Sequence, residues 1–287
     1  MTTISAAEAI YQRHFGMREP PFGLTPDTSF AYDCHAHQEA LNVLVVALQA
    51  GEGFIKITGD VGTGKTLLCR RLLSTLGPEY VAVYIPNPLM EPRGLLATLA
   101  AELGARVAAQ AEPHQLLRGI NFALVRQMGE GRRVMVLVDE AQAMPLATLE
   151  TVRLLSNLET EKRKLLQVVL CGQPELDRNL DHPSVRQLKQ RITFHYAIDR
   201  LARHELRHYL RHRMSVAGYS GPQVFSRGAL WVLHRASGGI PRLVNVLAHK
   251  SLMLVYAEGD DRVGLRHVMA AARDTAAARR ILIPWIG

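Results

Sequence analysis

The sequence predicts an α/β fold, a parallel sheet with helices on both faces, followed by a small all-helical subdomain. Short β-rich runs alternate with helical patterns up to about residue 200, and beyond about Arg203 the helical patterns continue alone. A chain of 287 residues, 48% hydrophobic and 21% charged, can bury such a core, which excludes a disordered chain.

The elements follow in order. His14 to Tyr32 is rich in Pro, Gly and Phe (Pro20, Pro21, Phe22, Pro26, Phe30) and reads as an ordered, irregular arm. Leu41, Leu44, Val45 and Leu48 then mark one face of a helix over 37–49, ended by Gly51. Strands are predicted at 54–58, 80–85, 134–138, 165–170 and 192–196, with helices between them at 65–76, 94–103, 114–128 and 147–158. Four helices close the chain, at 204–216, 226–237, 241–258 and 264–273, with Pro241 suited to a first helical turn. The expected division is an N-terminal arm (1–36), an α/β core (37–202), a helical lid (203–275) and a C-terminal tail (276–287). The tail contains the apolar run Ile281 to Ile286, which is expected to dock on the lid or on a partner.

Composition bounds the setting. Cys34, Cys69 and Cys171 are odd in number and widely spaced, so they form neither a disulfide framework nor a zinc pattern, and a reducing compartment is expected. No secretory leader and no apolar run of membrane-spanning length is read, so the expected location is the cytoplasm. The net charge of +8 is unevenly spread: residues 200–287 carry 14 Lys and Arg against 5 Asp and Glu, while residues 1–199 are close to neutral. That surplus suits nucleic acid, anionic lipid or an acidic partner, or is a solvated Arg-rich surface. His204, His208 and His212 share one helix face, a spacing that can bind metal, but no nearby carboxylate or cysteine completes a site and arginines run alongside.

The chemistry concentrates in two strings. Gly59, Asp60, Val61, Gly62, Thr63, Gly64, Lys65 and Thr66, with Leu67 behind them, match the phosphate loop G-x-x-x-x-G-K-S/T between a predicted strand and a helix. Glycines there let main-chain N–H groups wrap phosphate oxygens, helped by the positive end of the helix dipole. Lys65 is expected to bridge the β- and γ-phosphates, and the Thr66 hydroxyl to ligate Mg²⁺. The second string is the apolar run 134–138 ending in Asp139 and Glu140. Two acids at the end of a buried strand are costly unless they meet a cation or water, so Asp139 is expected on the metal and Glu140 on the attacking water. Together the strings predict a P-loop nucleoside triphosphatase that takes ATP and Mg²⁺.

With these motifs the chain resembles an AAA+ ATPase, and more narrowly the ExeA/GspA-like group of secretion and pilus-assembly ATPases. The residues that carry the resemblance begin with His14-Phe15-Gly16-Met17, Pro21-Phe22 and Thr25-Pro26-Asp27. His37 to Leu41, Gly51 to Ile55, Asp139-Glu140-Ala141-Gln142 and Gly172-Gln173-Pro174-Glu175-Leu176 continue it. The resemblance implies Gln173 as a polar sensor near the γ-phosphate, Arg242 as a second sensor in the lid, and Arg191, with Arg186 as runner-up, as an arginine finger on a neighbouring subunit's ATP. It further implies that Asn87 contacts Glu140, that ATP is preferred over GTP, and that the chain forms a homo-oligomer. Its partners would be pilus or secretion assembly proteins, reached in the cytoplasm or at the inner-membrane surface. Longer members of the group continue into a transmembrane helix and a peptidoglycan-binding domain that the sequence to Gly287 does not show, so direct wall contact is not expected. The rival reading is a DNA-binding ATPase of the transposition-regulator type, which shares this core and would use the basic lid.

Overall fold

A computed structural model describes residues 11–25, 27–32, 34–108, 110–159 and 164–280. The apolar run 281–286 of the tail therefore lies outside the described residues. Two compact units emerge, one of Asp199–Gly287 with Met1–Ala36 and Val61–Leu67, the other of His37–Asp60 and Leu68–Ile198.

The second of these is the α/β unit. Its strands are β1 (Phe54–Thr58), β2 (Tyr80–Ile85), β3 (Arg133–Val138), β4 (Leu166–Gly172) and β5 (Phe194–Ala197). They form one sheet in the order β2-β3-β4-β1-β5, and every pairing is parallel. β1 and β4 are buried along their whole length, as interior strands covered on both faces must be, while β5 alternates between half-buried and exposed at an edge. The helices of this unit are α1 (His35–Ala50) and α2 (Lys65–Thr75), each without its first two or three residues, which belong to the other unit, with α3 (Pro92–Glu102), α4 (Pro113–Gly129), α5 (Leu146–Leu155), α6 (Glu175–Leu180) and α7 (Arg186–Arg191). Leu95, Leu99, Ile120, Leu124, Val136 and Val168 pack into its core. Polar groups tie elements together as well. Gln167 Nε2 donates to the Leu48 and Glu52 carbonyls at 3.0 and 2.9 Å, and Arg133 Nη1 to those of Leu48 and Gln49, so the C-terminal carbonyls of α1 are met by side chains from β4 and β3. Lys56, buried in β1, is paired with Asp177 of α6.

Several element ends differ from the sequence reading. The last strand starts at Phe194 rather than 192, because Ile192 still closes α7, its N–H donating to the Lys189 carbonyl. Helix α5 stops at Leu155 rather than 158; the Ser156 hydroxyl folds back onto the Arg153 carbonyl and competes with the helical ladder. Helices α6 and α7, six residues each, are too short to show a period in the sequence.

The helical unit contains α8 (Arg203–Val216), α9 (Arg227–Ser237), α10 (Pro241–Ala257) and α11 (Leu265–Arg273). Ser226 caps α9 through a bond from Ala229 N, and Pro241 opens α10 where its missing N–H costs nothing. The N-terminal arm supplies part of this unit's core: Tyr11, Phe15, Met17, Phe22 and Phe30 are buried with Leu206, Leu210, Val244 and Leu252. Full burial of an aromatic of this size stabilises by about 1.5–3 kcal/mol. Arg213 of α8 locks the arm further, donating to the Pro21 carbonyl at 2.6 Å and lying over the Phe30 ring at 4.9 Å. Cys34, Cys69 and Cys171 are buried and are not joined in disulfides.

Candidate functional site

β1 ends at Thr58 and α2 begins at Lys65, so the glycine string is the turn between them. Gly62 and Gly64 have φ of +81° and +97°, in the left-handed region where a side chain is strained. Gly59 N donates to the Gly172 carbonyl at 3.2 Å, fixing the start of the loop to the end of β4. Thr63 and Lys65 are 1% and 4% exposed. A buried ammonium is tolerated only where acceptors surround it, and the first turn of α2 contains no acidic side chain that would neutralise its positive end from within. Loop glycines, a buried lysine, the Thr66 hydroxyl and a helix start with no acid in its first turn are a donor set that fits a polyphosphate with its cation. The loop also contacts the start of α10 within its own unit. Arg242 N donates to the Gly62 carbonyl at 3.2 Å, and a Cβ on Gly62 would lie 2.6 Å from the Arg242 Cβ. Arg242 is exposed at that helix start.

The strand-end acids sit at the carboxyl edge of the sheet, where open parallel sheets bind their ligands. Asp139 is 2% exposed, its N–H donating to the Ile85 carbonyl at 2.9 Å and its Oδ1 accepting from Glu140 N at 2.9 Å. The Tyr84 hydroxyl donates to Asp139 Oδ2 at 3.4 Å, and burial, reinforced by the Asp139 charge, pushes the phenol far above its ordinary range. Tyr84 therefore stays a donor. Glu140 has φ +51° and ψ +36°, the one non-glycine with positive φ among the described residues. Such strain persists where surroundings over-determine it, and here they do. Glu140 Oε2 accepts from Gln142 Nε2 at 2.6 Å and from Gln173 Nε2 at 3.1 Å.

The structure thus brings Asp139, Glu140 and Gln173 together in the α/β unit, and Gly62 with Arg242 in the helical unit. Arg191 is held elsewhere, at the end of α7, by the Ser156 hydroxyl and by Asn157 Oδ1 at 2.8 Å. Arg186 is exposed at the start of that helix. Asn87 departs from its expected partner: its side-chain oxygen accepts from Leu89 N at 3.2 Å, a local turn, and the Glu140 carboxylate takes its bonds from the two glutamines instead. Sequence reasoning missed two members, Tyr84 and Gln142. Gln142 stood in a quoted motif only two residues past Glu140, which was the available signal; Tyr84 gave none, because its bond to Asp139 spans 55 residues. Of the histidines, His204 and His208 are exposed while His212 packs on the Tyr32 ring at 5.6 Å. Among the described residues, no group of three or more His, Cys, Asp or Glu is placed to hold a metal ion.

Fold and site define a P-loop α/β core with a C-terminal helical subdomain. Residues 48–180 match the family model described as an AAA domain. The chain is similar to "General secretion pathway protein A" of Aeromonas hydrophila, 42% identical over 270 residues that cover 94% of this chain and 49% of that protein. It therefore spans about half the length of that relative. Among solved structures it is similar to the ORC2 protein of Aeropyrum pernix in its ADPNP–ADP complexes (TM-score 0.61, 16% identity, 88% of this chain and 72% of the other). It is also similar to Cdc6p of Pyrobaculum aerophilum (0.62, 15%, 86% and 70%) and to the RuvB branch migration motor of Thermotoga maritima (0.53, 16%, 83% and 68%). At these identities the structures speak for the fold alone: a five-stranded parallel α/β core with a C-terminal helical subdomain.

Proposed function

We propose that this chain binds Mg-ATP and hydrolyses it, acting as a motor or switch in the assembly of a secretion or pilus apparatus. The observation that carries the reading is the Glu140 carboxylate, set at the end of a buried strand and oriented by two amides, in a chain whose other motif is a glycine loop with a buried lysine. Main-chain N–H groups of the loop and Lys65 bind the phosphates; Thr66 and Asp139 would hold Mg²⁺. The cation, when bound, neutralises phosphate charge. Glu140 orients the water and takes its proton as the water oxygen attacks the γ-phosphorus, the bond from that phosphorus to the β–γ bridging oxygen breaks, and ADP leaves with the electron pair. Gln173, hydrogen-bonded to Glu140, acts as a sensor, and Arg242 forks onto phosphate oxygens from the lid.

Secretion rests on the similarity to General secretion pathway protein A, which extends well beyond the AAA domain into the arm and the helical unit. The finer reading is the pilus branch of that group. The arm residues His14 to Met17 and the run Gly172 to Leu176 resemble MshM, the ATPase linked to mannose-sensitive haemagglutinin pilus biogenesis. Nucleotide titration calorimetry and steady-state turnover test the reading. Lys65→Ala should abolish binding, while Glu140→Gln should keep binding and lose about 10²–10⁴-fold in kcat. ATP binding that survives Lys65→Ala unchanged would reject the site.

A second reading has its own observation. Arg203, Arg207 and Arg211 lie exposed along α8, in the part of the chain that carries the positive surplus. Binding to duplex DNA that collapses with added salt and stimulates turnover would move the assignment to nucleic acid.

A further inference from the structure

We propose that Gln142 is a positioning residue for Glu140, which on the ATPase reading is the general base. Its side-chain amide holds the Glu140 carboxylate with one end and the main chain of Gln173 with the other. Nε2 donates to Glu140 Oε2 at 2.6 Å, and Oε1 accepts from Gln173 N at 2.9 Å. Chemistry permits only this orientation of the amide, because an ionised carboxylate only accepts and a backbone N–H only donates. The Gln173 side chain closes the ring by donating to the same Oε2 at 3.1 Å. Both amides therefore anchor one oxygen of Glu140, and Oε1 is the oxygen turned over to water.

The surroundings serve this arrangement. The left-handed backbone of Glu140 reverses the chain at the end of β3, and the short 3-10 turn Ala141–Ala143 brings Gln142 back beside the carboxylate. The Gln142 carbonyl is itself held by Asn179 Nδ2 at 2.9 Å, from α6. Room for the amide comes from Gly172, where a Cβ would lie 3.1 Å from Gln142 Oε1 and 3.3 Å from Gln142 N. A base fixed by a third group is the general logic of an oriented proton acceptor, with the orienter here an uncharged amide. It acts on the turnover step and leaves the phosphate loop untouched.

The test uses the full chain with Gln142→Met, Gln142→Asn, Gln173→Met and the double variant Gln142→Met/Gln173→Met. ATP affinity by calorimetry and kcat are measured for each. Gln142→Met should lower kcat about 10- to 100-fold with ATP affinity unchanged, a split that a merely structural side chain would not produce. Gln142→Asn, one methylene shorter, cannot span both partners and should fall with it. Because both amides anchor the same oxygen, the double variant should fall little below the worse single one. Wild-type or faster turnover in either Gln142 variant overturns the proposal, and so do losses that simply multiply in the double variant. Loss of ATP binding in both Gln142 variants also overturns it, since positioning spares binding. Failure of the underlying reading is distinguishable: the wild type would then show no turnover, or turnover indifferent to Lys65→Ala, and the proposal would fall with it.

Discussion

Tyr84 shows what one half-buried hydroxyl contributes to a strand-end acid. Its donor reaches Asp139 Oδ2 from the neighbouring strand β2, and burial keeps the phenol protonated throughout the working pH range. Tyr84→Phe removes that donor without changing ring volume, so the fold should hold while the Asp139 carboxylate loses one restraint. The expected outcome is a Mg²⁺ concentration for half-maximal turnover raised about tenfold, read from a metal titration at saturating ATP. An unchanged titration would leave Tyr84 a packing residue only. At this scale the sequence was informative for Lys65, Asp139 and Glu140, since motif spacing names them. It was silent on Tyr84 and on the role of Gln142, because a hydrogen bond between side chains leaves no periodic trace.

Among elements, the link between α9 and α10 leaves no room for a side chain at Gly239. Gly239 has φ +75°, and a Cβ there would sit 2.4 Å from the Leu201 carbonyl oxygen, whose own N–H donates to the Gly239 carbonyl at 2.8 Å. Backbone cannot yield as a flexible side chain can. Gly239→Ala should therefore destabilise the protein by about 2–3 kcal/mol in denaturant unfolding. Gly259 provides the control: its φ is +71°, but a Cβ would meet nothing within 4 Å, so Gly259→Ala should cost only the backbone strain of about 1–2 kcal/mol. Equal losses at the two sites would remove the steric account. Long elements were readable from periodicity. The pair α6 and α7 was not, although α6 supplies Asn179 to the Gln142 carbonyl and Asp177 to buried Lys56.

For the whole molecule, the resemblance predicts a homo-oligomer in which one subunit acts on another. Arg191 is engaged within its own chain by Ser156 and Asn157, and the resemblance implies that it serves a neighbour's ATP. A residue acting in trans makes a specific prediction for mixtures. Arg191→Ala should bind ATP yet lose turnover, and Lys65→Ala should fail to bind; mixed, they should regain activity, because the second supplies Arg191 to the intact site of the first. Recovery should grow with protein concentration, as an assembly does. Mixtures as inactive as their components would place Arg191 in its own site or outside catalysis.

The alternation of apolar runs, the glycine loop and the strand-end acids were enough to determine the fold class and the main chemical groups. Strand period, helix period and loop chemistry are local properties that neighbouring residues impose on one another. Only the tertiary structure decided the strand order β2-β3-β4-β1-β5, the burial of Phe15, Phe22 and Phe30 of the arm in the helical unit, and the partners of Glu140. Each of these depends on packing and hydrogen bonds between groups distant in the chain, whose energy is set by shape and direction rather than by spacing. The resemblance implied Asn87 on Glu140, whereas Gln142 and Gln173 hold that carboxylate and the Asn87 side-chain oxygen accepts from Leu89.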